Sequence, residues 1–164
     1  MSLIVETGSG SSTAESYISV ADADARHTAF GNSAWTGTTA VKEAALRKAT
    51  AYMTQAYRGR WTGTRITSVQ ALDWPRWGAM LEGFPISSTT IPTDIANACA
   101  DLALKALADD LAPDLTRAIV REKVGPLETE YSAFSPEAPR YPAIDGALSA
   151  YLMGGGAMMR LIRA

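Results

Sequence analysis

"PTDIANACADLALKALADDL", residues 92–111, is the stretch that decides the fold. Ile95, Cys99, Leu102 and Ala106 recur at three- and four-residue intervals, with Leu107 beside them. That spacing lines up one apolar side of a helix. Pro92 suits the first turn, where its missing N–H costs nothing, and Pro113 stops the chain from continuing as helix. No other segment has so apolar a helical face, so this helix is expected at the centre of the core.

Two more helices supply partners for it. The first is predicted from Val20 to Phe30, with Ser19 as N-cap, Asp22 in the capping position and Gly31-Asn32 as the stop. The second runs from Ala40 to Tyr57, capped by Thr38 or Thr39. Val41, Ala45, Ala49, Tyr52, Met53 and Ala56 form its apolar stripe, with Lys42, Glu43, Arg47 and Lys48 mainly opposite. Further on, residues 119–131 alternate with a period of two on either side of Gly125-Pro126, which predicts a hairpin or two extended arms. Pro136, Pro139 and Pro142 then stiffen the connection to a last helix over 142–152. The fold class is mainly α: a small bundle of about four helices, a short β-hairpin or strand arm, and flexible termini. Residues 1–18 read as an arm and linker, 19–153 as the helical domain and 154–164 as a tail.

The totals bound the function. The chain has 164 residues, 47% hydrophobic and 20% charged, which suits one folded domain. A net charge of −2 argues against a surface that grips nucleic acid everywhere, since that affinity comes from neutralising phosphates. Cys99 is the one cysteine, which fits a reducing cytoplasm. The first residues lack the basic-then-apolar pattern of a signal peptide, and no apolar run reaches the ~20 residues of a membrane span.

Catalytic chemistry finds little to work with. His27 is the one histidine, and nothing around it marks a Ser-His or Cys-His pair. It reads as a partly exposed helical residue, and Cys99 as a buried thiol. "GSGSST", residues 8–13, lacks the lysine and spacing of a phosphate loop and reads as a flexible linker that lets Leu3–Glu6 reach away from the body. Asp109, Asp110 and Asp114 read as a solvated face. The expectation is a protein without catalytic residues, cofactor or metal. A hydrolase built on His27 is the remote alternative.

Residues 58–90 are irregular, with Gly59, Gly63, Pro75, Gly78, Gly83 and Pro85 as punctuation. Connections this long are usually functional or flexible. Between residues 58 and 77, Arg58, Arg60, Arg65 and Arg76 stand against Asp73 alone, with Trp61, Trp74 and Trp77 among them. Interleaved arginine and aromatic residues suit stacking on single-stranded DNA, a protein interface, or simple packing of the loop into its own core.

"LIVETGSG" (3–10), "ESYISVADADA" (15–25), "KEAALRKATAYM" (42–53), "VQALDWPR" (69–76), "IPTDIANACADLALKAL" (91–107) and "EKVGPLETEY" (122–131) follow one another in an order that resembles the head–tail connector (adaptor) family of tailed phages. Members of that family are often labelled DnaT-like single-stranded-DNA-binding proteins. The resemblance runs from about Leu3 to Leu152. It implies a virion structural protein in the neck, assembled in the host cytoplasm. It also implies a ring, dodecameric in the virion, that joins the portal protein to a tail or stopper protein while double-stranded DNA passes through. On that reading Val120, Glu122, Val124, Leu127, Thr129 and Tyr131 clasp a neighbouring copy, and Met158, Met159, Arg160, Leu161, Ile162 and Arg163 dock on the portal. Arg58, Arg60, Trp61, Arg65, Trp74, Arg76 and Trp77 pack the loop. The DnaT-like label implies the alternative, a replication accessory that holds single strands through those same loop residues.

Overall fold

The computed structural model describes residues 2–113, 121–124, 127–130 and 139–153. Among them are α1 (Val20–Ala29), α2 (Thr39–Tyr57), α3 (Thr93–Ala108) and α4 (Pro142–Leu148), the last continued by a 3-10 turn over Ser149–Tyr151. The fold is mainly α, as the helical periodicity predicts. α3 is its centre: α2 packs along it, α4 and α1 lie against it, and Ile95, Ala98, Cys99, Leu102, Ala103 and Ala106 are buried. Small residues suit this close packing: Ala45 and Ala49 are buried on α2, and Ala98, Ala100, Ala103 and Ala106 on α3. Leu46, Met53, Ile95, Leu102 and Leu148 fill the remaining space, each contributing about 1.5–3 kcal/mol by leaving water.

The caps are where the sequence puts them. Ser19 Oγ accepts the N–H of Asp22, and Thr38 Oγ1 accepts the N–H of Val41. The face of α2 differs. Val41 is 47% exposed, and Leu46, Thr50 and Tyr57 join Ala45, Ala49 and Met53 on the buried side. The buried side is rotated relative to the predicted stripe. Thr50 tolerates burial because its hydroxyl donates back to Leu46 O at 2.9 Å.

Two corrections concern polar residues. His27 is buried, not partly exposed. The segment read as a reaching linker is folded onto the body: Val5 pairs with Ser16, Glu6 is buried, and the backbone of residues 8–11 wraps around its carboxylate. Oε1 accepts the N–H groups of Gly8, Ser9 and Gly10 at 2.8, 2.7 and 3.0 Å, and Oε2 accepts that of Ser11 at 2.7 Å. The Gly/Ser run forms an anion nest whose anion is its own upstream glutamate.

The strand-like segment forms an antiparallel strand pair, Arg121–Val124 with Leu127–Glu130, in which Glu122 stands opposite Thr129 and Val124 opposite Leu127. Of the residues expected at a ring interface, Val120 and Tyr131 lie outside the described residues, as do all six expected at a portal contact, Met158 to Arg163.

Candidate functional site

Residues 58–90 are neither structureless nor loose. They hold two short antiparallel ribbons that periodicity did not show, β1 (Thr64–Arg65) with β2 (Arg76–Trp77) and β3 (Met80–Leu81) with β4 (Phe84–Pro85). Gln70 ties down the turn between the first two strands. Its Nε2 donates to Leu72 O at 2.8 Å and to Pro75 O at 3.1 Å, across a cis Trp74–Pro75 peptide. Arg76 closes the ribbon by donating to three carbonyls, Thr62 O and Gly63 O at 2.7 Å and Asp73 O at 3.1 Å. Its desolvation depresses the guanidinium's pKa, partly offset by Asp73. Gly63 permits the close approach, since a Cβ there would come within 2.6 Å of Trp77 O.

The three tryptophans of the loop divide sharply. Trp61 is 1% and Trp74 0% exposed, whereas Trp77 is 70% exposed. Trp74 stands edge-on to both Trp61 and Tyr151, with centroids 5.9 Å apart in each case, and Trp61 leans on Tyr57. Tyr151 OH is anchored on Asp94 at 2.7 Å, and burial pushes its pKa up to about 12. Trp61 and Trp74 are therefore core, and neither ring can stack on a base.

The arginines divide too. Arg58 Nε holds the buried Asp73 at 3.1 Å, and Arg60 lies over the Tyr57 ring. Arg65 differs from both: its Nε is buried without a hydrogen-bond partner, and its guanidinium makes no ion pair among the described residues. It stands opposite Arg76 in the ribbon, as Thr64 stands opposite Trp77. Thr64, Arg65, Ile66, Trp77, Ser88 and Thr89 line an open groove of about 390 Å³. The same loop also exposes the apolar residues Met80 and Phe84, on the β3–β4 ribbon.

Ile66, Ser88 and Thr89 were not legible as site residues. The only sequence signal was a polar run, "SSTT" at 87–90, following the loop. The floor of the groove leans on the Glu6 nest. Gly8 packs against the Thr89 carbonyl so closely that any Cβ would overlap it, and Gly10 packs against Ile66.

The other titratable candidate lies apart. His27 Nε2 pairs with Ala100 O and Nδ1 with the Asn32 amide, both at 3.1 Å, which is the pattern of a neutral ring donating from Nε2. No serine, threonine or cysteine among the described residues hydrogen-bonds it. Cys99 instead contacts Thr50 and Ser16, and burial raises its pKa. Among the described residues no cluster of His, Cys, Asp or Glu could hold a metal ion, and no helix is long and apolar enough to cross a membrane.

Burial lowers the His27 pKa, opposed by the Ala100 carbonyl and by Asp101 and Asp24. Below about pH 6.5 the unfolded chain takes a proton that the folded chain refuses, so stability falls with falling pH. The loss is at most about 1.4 kcal/mol per pH unit. Urea unfolding of the wild type and His27→Gln at pH 7.5, 6.0 and 5.0 should show a shallower loss on acidification in the variant.

The fold and this face define a small helical domain carrying a basic, aromatic ribbon on an otherwise acidic chain. The family model described as "Putative DnaT-like ssDNA binding protein" matches residues 1–164. The chain belongs to that family. No curated protein and no solved structure matches it significantly.

Proposed function

We propose that the chain is a non-catalytic module that binds single-stranded DNA through the exposed ring of Trp77. The observation that carries this reading is the contrast within one loop: two tryptophans are locked in the core, and a third is presented to solvent in a groove it shares with Arg65, which has no ion pair among the described residues. An unpaired base can stack on such a ring, whereas a base inside a duplex cannot. The family description points the same way. Titrating a labelled oligo-dT strand at 50 mM salt should give saturable binding that weakens as salt is raised. Trp77→Ala should reduce affinity about 5- to 150-fold, the range of one lost base–aromatic stack. No binding at 50 mM salt, or binding indifferent to Trp77→Ala, would refute the reading.

A second reading draws on the other exposed apolar residues of the loop. Met80 and Phe84 are exposed on the β3–β4 ribbon, Phe84 at 75%. Exposed aromatic and methionine side chains are typical of interface cores. This reading makes the chain a subunit of a phage head–tail connector ring, with portal and tail proteins as partners and DNA passing without tight contact. A net charge of −2 suits passage better than capture. Native mass spectrometry separates the two: a ring that shifts no oligonucleotide supports the connector.

A further inference from the structure

We infer that the groove between Arg65 and Thr89 is a single-nucleotide site, with the base on Trp77 and the phosphate on Arg65. The inference rests on the single-strand reading and assigns the chemistry of its contact. Three observations carry it. Arg65 and Arg76 face each other in the β1–β2 register, and like charges directly opposite in a ladder are unfavourable unless an anion or other acceptor relieves them. Arg76 is relieved by three carbonyls; among the described residues Arg65 has no such partner, and its Nε is buried. The groove that Arg65 lines is lined also by Trp77, which is 70% exposed, and by Ser88 and Thr89.

These parts match the parts of a nucleotide. A guanidinium with unused N–H donors suits a phosphate, which accepts two of them at once. The Trp77 face suits any base, because every base has a π-face. The Ser88 hydroxyl can donate to a phosphate oxygen or the sugar. At about 390 Å³ the groove lies at the small end of ligand pockets, about 300–1,000 Å³, which limits it to one unit of a strand. The Glu6 nest sets the position of the Thr89 wall through Gly8. One chain thus supplies one stack and one phosphate contact.

The two roles leave different signatures in a salt titration of oligo-dT binding. Arg65→Gln should weaken binding and flatten the plot of log K against log salt by about 0.7, the loss of one phosphate contact on a single strand. Trp77→Ala should weaken binding and leave the slope unchanged. Ser88→Glu, which sets a negative charge in the groove, should weaken binding with no change in melting temperature, and serves if Arg65→Gln disturbs the ribbon. Wild-type binding with an unchanged slope in Arg65→Gln and full affinity in Ser88→Glu would overturn the nucleotide site and leave the single-strand reading standing. Absence of wild-type binding would remove both.

Discussion

Trp74→Ala should unfold the protein far more readily, whereas Trp77→Ala should leave its stability almost unchanged. Trp74 is fully buried, edge-on to Trp61 and Tyr151, and its backbone lies in the turn that Gln70 and Arg76 hold. Removing a buried tryptophan ring costs about 3–5 kcal/mol, from lost transfer energy and the cavity left behind. In a chain of 164 residues each kcal/mol is worth about 2–4 °C, so the melting temperature should fall by about 6–20 °C. Trp77 has little to lose on truncation, and exposed substitutions usually stay within about 0.5 kcal/mol. Thermal melts of the two variants check the contrast. A Trp74→Ala variant within about 1 kcal/mol of wild type would mean that the ring is not core.

Glu6→Ala is the second large effect. Four backbone N–H groups converge on one carboxylate that is itself buried, and no arginine or lysine pairs with it among the described residues. A hydrogen bond to a charged group contributes about 1.5–3 kcal/mol, but four donors sharing two oxygens do not add up independently. Ser9 is exposed, so water can recover part of the loss. The expected net cost is about 3 kcal/mol. Glu6→Gln keeps the shape and one acceptor oxygen for the three N–H groups that Oε1 receives, so it should cost less than Glu6→Ala, although its NH₂ group then faces the Ser11 N–H. Because Gly8 and Gly10 contact Thr89 and Ile66, Glu6→Ala should also weaken oligo-dT binding. Urea unfolding gives the stability change. A variant as stable as wild type would show that the nest does not need its carboxylate.

The helices were legible because their signals are local. Ser19 and Thr38 announce the starts of α1 and α2, and the spacing from Ile95 to Ala106 fixes the buried face of α3. The face of α2 was less so, because Val41 counts as apolar in any periodicity while only packing decides that the side bearing Leu46 and Tyr57 is the buried one. The Gly/Ser run misled for a physical reason. Composition reports how freely "GSGSS" can bend, but what fixes it is an acceptor two residues upstream, and a nest needs that flexibility to close. Nor does sequence separate Trp74 from Trp77. Both flank the same proline and arginine, and their fates depend on a ribbon whose other strand, Thr64–Arg65, lies eleven residues before Arg76. The groove was least legible of all, since its walls come from residues 64–66, 77 and 88–89 and meet only once the ribbons pair.

The account stands on Trp77 being the one loop tryptophan that meets a DNA base. Tryptophan emission measured during an oligo-dT titration tests this most directly, with acrylamide marking the solvent-accessible rings. The strand should quench the fluorescence of the acrylamide-accessible fraction and shield it from acrylamide, and both effects should vanish in Trp77→Leu. Unchanged emission at saturating oligonucleotide, or quenching that survives Trp77→Leu, would contradict the account.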